Sequence, residues 1–456
     1  MRQGDVVELV KDRLLPAFFQ EKARLDRIDL WYRWQHEDIK MPRTANPEMR
    51  ALAELSKTPW LGLVVTTVAQ AMYVDGYRSP DLPDNSTAWR TWQANDFDNR
   101  QIAVHRAALA YGQSYVRVLP GELNGVSTAV MRGVSPRKML AVYAEPAEDD
   151  WPMYTIQVDK SGNDLMIQVL DEEQQYFLST TGEGAKVTFI ESRVHNAGVC
   201  PVVRYANMLD LDGRTDGEVE PFIALAGRIN KTSFDRLLTQ HFASWKIRTV
   251  TGMAEPDSED EARRKKLKLR QDDLLIAEDA DTKFGTLDET PLDGFIAAEE
   301  SDVEKLAAVS QTPASALTGK IVNVAADALA QARAPLTQKV TERQKSMGKS
   351  HDQALRLGAA LENDDAAAQD VMAHVTWQDM DIRSLSQAVD ALGKAVTMLH
   401  VPPEALWARI PGVTKSDVDE WKRLVAQGDP LGNLTSMLDS QMGAGSGNQP
   451  LVGAHQ

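Results

Sequence analysis

The chain is short of cysteine, of net positive charge and of long apolar runs, and each shortage removes a class of function. Cys200 is the only cysteine in 456 residues, which excludes an intrachain disulfide, a cysteine-based zinc site and a dithiol redox pair. Lysine and arginine number 50 against 66 aspartate and glutamate, for a formal net charge of -16. A protein that coats nucleic acid relies on clustered cations releasing counterions from phosphates, and this balance argues against one. An acidic chain can still surround DNA without gripping it. No stretch reaches the roughly 18 uncharged apolar residues of a membrane span. Leu61 to Tyr73 comes closest and suits a buried helix. Met1 to Asp12 mixes charges with apolar residues and reads as no signal peptide.

What is present is ordinary globular material. Hydrophobic residues make up 43% and charged residues 25%, and the length allows about two to four structural units. Val6 to Trp34 carries apolar residues at helical spacing, and Pro59 opens a second helix toward Tyr73 that Asp75-Gly76 breaks. A third helix is predicted from Asn95, as N-cap, to Gly112 as terminator. From Ser114 the period changes. The runs Ser114 to Leu119, Thr128 to Arg132, Met153 to Val158, Leu165 to Leu170 and Gln175 to Ser179 predict an antiparallel β unit. Glu218 to Trp245 reads as a long helix, whose roughly 28 residues would span about 42 Å. A charged insert follows to Leu292, with a β-like start and a strand-like Leu274-Leu275-Ile276. Helices are then expected over Asp293 to Val309 and from Ala326 to Leu361, the latter kinked or delayed by Pro335. Val371 to Trp377 reads as a strand, Arg383 to Leu399 as a helix and Pro403 to Leu424 as one or two short helices. The Gly-, Ser- and Gln-rich tail after Gln427 reads as flexible.

Most motifs that suggest chemistry have simpler readings. Met347-Gly348-Lys349-Ser350 ends like a phosphate-binding loop, but Arg343 stands where the first glycine is needed and the run is helical. Asp210, Asp212, Asp216 and Glu218 suggest a calcium loop, yet Thr215 occupies the glycine position; acidic residues before a helix are explained by its dipole. The histidines form no HxxxH or HxH pair and read as mostly surface or partly buried. Cys200 shows no local sign of activation. The strongest charge run is Arg263, Arg264, Lys265, Lys266, Lys268 and Arg270, preceded by the acids Glu255, Asp257, Glu259, Asp260 and Glu261. A subunit or partner interface is favoured there over DNA, because the acidic block weakens phosphate attraction. No catalytic residue, metal or cofactor is assigned.

Five stretches in order carry a resemblance. They are Ser56-Lys57-Thr58-Pro59-Trp60-Leu61, Tyr73-Val74-Asp75-Gly76-Tyr77 and Tyr111-Gly112-Gln113-Ser114-Tyr115-Val116. The last two are Gln311-Thr312-Pro313 with Leu317, Gly319 and Asn323, and Trp377-Gln378-Asp379 with Asp381-Arg383-Ser384. Together with the element order, they resemble the portal proteins of tailed double-stranded-DNA bacteriophages, in an actinobacteriophage-like branch. The resemblance implies an α+β, mainly helical portal fold and a non-enzymatic conduit for DNA packaging and ejection. It divides the chain into a wing of helices and β unit (1–217), a first stem helix (218–246), a small α/β clip (247–292) and a second stem helix (293–311). A tunnel loop (312–325), a kinked wing helix with return strand and helix (326–401), a helical crown (402–427) and a flexible tail (428–456) follow. It further implies a homo-oligomeric ring, usually of twelve, at the capsid vertex of the virion, assembled in the host cytoplasm. The partners implied are capsid and scaffolding proteins, the terminase motor, head-tail connector or tail proteins and DNA in transit, with no membrane. Thr312, Ser315, Thr318, Lys320 and Asn323 become candidate DNA-facing residues, with Lys320 expected in the lumen. Arg263 to Arg270 become a candidate clip interface. The rival readings are a nucleotide-dependent DNA-packaging enzyme, for which Lys349 would be essential, and a scaffolding or adaptor protein.

Overall fold

The computed structural model describes residues 1–36, 39, 46–80, 86–181, 186–243, 248–251, 283–286, 291–320, 326–378, 385–407, 410, 413 and 415–428. The fold is α+β and mainly helical. It opens with α1 (Gln3–Leu9), a π turn over Val10–Leu14 and α2 (Leu15–Tyr32). Val6, Val10, Leu14, Leu15 and Phe18 lie on one side of this segment and pack on a five-stranded antiparallel sheet. Its strands are β4 (Met139–Val142), β5 (Tyr154–Ser161), β6 (Asp164–Leu170), β7 (Gln174–Thr181) and β8 (Lys186–Val194), in sequence order. Ile156, Val158, Ile167, Val169, Tyr176 and Leu178 alternate along β5 to β7 and supply the facing layer, as a sheet with period two requires.

A larger core joins the rest. Beyond α3 (Pro47–Leu55), it is built on α4 (Trp60–Ala69), α5 (Ser86–Ala94), α6 (Phe97–Tyr111) and a second sheet of order β3-β2-β9. Those strands are β2 (Gln113–Leu123), β3 (Val126–Val134) and β9 (Val202–Ala206). The predicted β unit is therefore two sheets, with β4, β8 and β9 as strands beyond the five expected runs. A smaller ladder pairs β1 (Val74–Arg78) with β12 (His374–Trp377) antiparallel, Val74 opposite Trp377 and Tyr77 opposite Val375. Here Asp75-Gly76 is not a break but an irregularity within a strand. A Cβ on Gly76 would come within 2.8 Å of Thr376 Oγ1.

Two corrections concern capping and burial. Asn95 does not cap α6; Asp96 stands before it in left-handed conformation with no side-chain cap. Asn95 instead donates to Thr91 O and Ala129 O and accepts from Met131 N, all at 2.8 Å, tying α5 to β3. Nor are the histidines mostly peripheral: His36, His105, His195 and His351 are buried. His105 and His351 meet across 246 residues, with Nε2 atoms 2.8 Å apart. His105 Nδ1 lies 3.2 Å from Met72 O and Tyr205 Oη lies 2.9 Å from His351 Nδ1. A carbonyl only accepts, so one proton order satisfies two neutral rings. Tyr205 donates to His351, His351 to His105, and His105 to Met72. Burial pushes the pKa of His105 down to about 4, and burial and then His105 push that of His351 well below its ordinary value.

The chain then builds a helical hairpin. After a 3-10 turn at Glu220–Phe222, α7 runs over Ile223–Ala243 and α8 over Asp293–Val309. Twenty-one and seventeen residues correspond to about 31 and 26 Å. Trp245, expected as the end of the first, lies outside the described residues. Between the helices, β10 (Arg248–Thr251) pairs antiparallel with β11 (Lys283–Thr286), which agrees with a β-like start to the insert. Leu274 to Ile276 lie outside the described residues. A short helix α9 (Ala314–Thr318) and the 36-residue α10 (Ala326–Leu361) follow. Pro335 sits inside α10, where it removes the bond to the carbonyl of Gln331, four residues earlier. Both residues lie on an exposed or half-exposed stretch where water can replace that bond. The chain continues through α11 (Asp365–Gln369), β12, α12 (Leu385–Leu399), α13 (Pro403–Leu406) and α14 (Lys415–Gly428). No helix among the described residues is long and apolar enough to cross a membrane.

Candidate functional site: a helical wall and its turn

Charge pairs set the register of α7 on α8. Arg228 donates to both carboxylate oxygens of Asp302, at 2.7 and 2.8 Å. Ser233 donates to Glu299 at 2.8 Å, and Arg236 lies 3.6 Å from the same carboxylate. Partner numbers fall on α8 as they rise on α7, so the helices are antiparallel. Ala226, Ile229, Phe234, Val303, Leu306 and Ala307 are buried, the helical stripe that such a pair must cover. Burial raises the pKa of Asp302, but the bonds from Lys305 and Arg228 outweigh it and the net shift is downward.

At the C-terminus of α8 the chain turns through Gln311, whose φ is 54°. Thr312 N donates to Ala307 O at 3.0 Å, and Ser310 Oγ and Thr312 Oγ1 lie 3.0 Å apart. Thr312 is 4% exposed, which corrects its reading as a DNA-facing residue: its hydroxyl is used inside the turn. The stretch read as a loop also contains α9, whose Leu317 is buried and which Gly319 ends at φ 64°. Ser315 and Lys320 are exposed and Thr318 half-exposed. Thr318 Oγ1 donates to Ala314 O at 2.9 Å and accepts from Lys320 N at 3.3 Å. Lys320 Nζ donates to Glu300 at 2.6 Å. That hydrogen bond raises the pKa of Lys320, so it stays cationic. Asn323 lies outside the described residues.

The base of this turn is pinned by a buried charge network that the sequence reading missed. Glu218 accepts from Lys339 Nζ at 2.6 Å and from Arg343 at 3.3 Å, and all three side chains are buried. Lys339 also donates to Ser310 O at 2.9 Å, so α10 holds the C-terminus of α8. Burial lowers the pKa of Lys339, opposed by Glu218. Glu218 was read as serving a helix dipole; it precedes the helix and serves this network instead. A tight backbone crossing places it, with Glu218 N donating to Leu109 O at 2.7 Å. A Cβ on Gly217 would meet Ala110 O at 2.6 Å, and one on Gly112, at φ 95°, would meet Thr215 O at 2.2 Å. Gly112 also ends α6 in left-handed conformation, the C-cap role expected of it. A signal was available in the sequence, since Lys339, Arg343 and Met347 recur at four-residue spacing along one helix face.

The remaining sequence candidates have settled positions. Lys349 lies inside α10 with its side chain 77% exposed, in a geometry unlike a phosphate loop. Asp210 Oδ1 accepts from the amides of Asp212 and Arg214 at 3.0 and 2.7 Å, which makes it a turn former. Cys200 is buried, and burial pushes its thiol pKa up to about 12, so thiolate chemistry is suppressed. Arg263, Arg264, Lys265, Lys266, Lys268 and Arg270 lie outside the described residues.

The charges of this site tie α7, α8 and α10 to one another. The chain belongs to the phage portal protein family, SPP1 Gp6-like, whose model matches residues 15–429. It is a structural conduit of a phage head-to-tail connector, from a family that is structural rather than enzymatic. Among solved structures, a chain from the neck of a native GTA particle, computed with C12 symmetry, is similar at 10% identity and a TM-score of 0.44. The match covers 82% of this chain and 96% of that one. A chain from the neck of an empty GTA particle, computed with C6 symmetry, is similar at 11% identity and a TM-score of 0.42, over 79% and 92%. No curated protein matches the sequence.

Proposed function

We propose that this portal subunit forms a closed ring, usually of twelve copies, at the capsid vertex, and that α7 and α8 are the stem lining its channel. The single observation that carries this is the antiparallel α7–α8 hairpin, with a β10–β11 ladder at one end and a pinned turn presenting Lys320 at the other. Heterologous contacts between identical subunits close such a ring. On this reading residues 1–217 and 326–401 form the wing, 247–292 the clip, 312–325 the tunnel loop, 402–427 the crown and 428–456 a flexible tail. The clip, including Arg263 to Arg270, meets the packaging terminase during assembly and connector or tail proteins afterwards. Capsid and scaffolding proteins surround the wing. Assembly takes place in the host cytoplasm, and the five ordered sequence stretches support an actinobacteriophage-like branch.

A channel must let a polyanion slide, and few strong phosphate contacts suit that task. Ser315, Thr318 and Lys320 are the described candidates for the lumen, and Asn323 remains with them from sequence. Electron microscopy of the purified protein over a range of concentrations tests the reading. Rings with an axial hole and Lys320 on the inner wall are expected. Monomers or dimers alone at high concentration, or Lys320 on the outer wall, would overturn it.

A further inference from the structure

The cations of the hairpin and its turn share one property. Between 223 and 243 and between 293 and 320 they are Arg228, Lys231, Arg236, Lys305 and Lys320. Each is paired with a carboxylate of the same two helices. Arg228 and Lys305 meet Asp302, Lys231 meets Asp235, Arg236 meets Glu299 and Lys320 meets Glu300. Asp293 and Glu304 bring the carboxylates in these segments to six against five cations. The wall is neutralised from within.

Lys320 is the member of the set that lies in the turn. Its side chain is 67% exposed and that of Glu300 is 52% exposed, with Nζ 2.6 Å from the carboxylate. Leu317 anchors α9 in the core, while Lys320, past the end of that helix, has its side chain in solvent. The backbone is therefore fixed up to α9, and the side chain beyond it has room to swing. A solvent-exposed ion pair of this kind is held weakly, and its partner can be exchanged for another anion.

We propose that Glu300 is a built-in competitor for DNA: its carboxylate occupies Lys320 in place of a phosphate, so a passing duplex engages the lysine only by displacing Glu300. This rests on the reading of the turn as lumen-facing. Glu300 then limits friction in the channel, because each phosphate contact is an exchange rather than a gain. Glu304, one helical turn away, adds to the negative field at Lys320 and favours return of the pair after the phosphate has passed.

The test uses assembled full-length protein and a short DNA duplex, with binding followed across about 50 to 200 mM salt. Glu300→Gln should bind roughly three-fold or more tighter at low salt, with a log-log salt slope steeper by up to about 0.9 for each lysine that reaches a phosphate. Glu300→Gln combined with Lys320→Ala should return to the Lys320→Ala level. Unchanged binding by Glu300→Gln, or a gain that persists in the double variant, overturns the proposal, the second result assigning the gain to bulk charge. Imaging the same Glu300→Gln assemblies separates the two failures. Lys320 on the outer wall removes the lumen reading and this inference together, whereas a lumen-facing Lys320 with unchanged DNA binding removes this inference alone.

Discussion

Two lysine–glutamate pairs of this chain have the same length and opposite settings. Lys339–Glu218 and Lys320–Glu300 are both 2.6 Å apart, but the first has side chains 3% and 6% exposed and the second 67% and 52%. In the first pair water has been removed, so each charge depends on fixed protein partners, Arg343 and Asn207 for Glu218 and Ser310 O for Lys339, and a lost partner is not replaced by solvent. In the second, water and salt compete continuously, and the net attraction is small. Distance therefore says little about what a pair does here. The buried pair fixes α10 to the end of α8, and the exposed one leaves a cation available for exchange.

The largest expected effect tests the buried side. Lys339→Met keeps the unbranched stem of the side chain without its ammonium, leaves Glu218 with Arg343 at 3.3 Å and Asn207 at 3.3 Å, and leaves Ser310 O without its donor. Breaking one side of a buried pair costs about 3–5 kcal/mol, to be read from urea unfolding. Adding Glu218→Gln should not restore the loss, since the buried Arg343 then loses its carboxylate as well. A cost below about 1 kcal/mol would put this pair in the class of surface pairs and erase the contrast.

The buried histidines extend the same argument to groups that avoid charge altogether. In the unfolded chain each takes a proton below about pH 6.5, while folded His105 holds off until about 4. The unfolded state thus binds more protons in that window, so the contribution is complete above pH 6.5 and is lost as pH falls toward 4. For His105 alone the loss at pH 5 is about 2 kcal/mol, and His351 acts in the same direction. Nearby Asp352 works oppositely. Burial raises its pKa to about 6, so its contribution is lost as pH rises through that value. Unfolding measured between pH 5 and 7.5 (about the window set by these values) should show a His105→Asn variant taking up about one proton fewer than the parent near pH 5. Equal pH slopes in the two proteins would remove the neutral-pair reading.

These features differ in how far the sequence reveals them. The spans of α8 and α10 are legible in the sequence, because Pro291 and Thr312-Pro313 punctuate one and helical spacing marks the other, although the sequence leaves open whether Pro335 kinks that helix or delays its start. The left-handed cap at Gly112 was legible for the same local reason. What was not legible depends on residues far apart in the chain. Asn95 has good cap chemistry, but its bonds to Ala129 and Met131 on β3 decide its role. Asp75-Gly76 reads as a stop until β12 arrives some 300 residues later to pair with it. His105 and His351 give no spacing signal at a separation of 246. In the candidate site, exposure of Lys320 and Ser315 was legible, whereas burial of Thr312 and pairing of Lys320 with Glu300 were not. Both depend on how α9 folds back against α8.

The smallest expected effect completes the contrast. Glu300→Gln and Lys320→Ala, singly or together, should leave the urea unfolding midpoint essentially unchanged, because an exposed pair is screened by water and salt and contributes little to stability. The pair should nonetheless be visible as a salt-dependent change in DNA binding. Those two readouts separate a pair kept for exchange from one kept for structure. If Glu300→Gln instead lowered stability by as much as Lys339→Met, the turn would be held by its exposed pair, and displacement of Glu300 by a phosphate would unfold it. A flat stability result with altered DNA binding places the 2.6 Å contact of Lys320 in the working surface of the wall and leaves the support to Lys339.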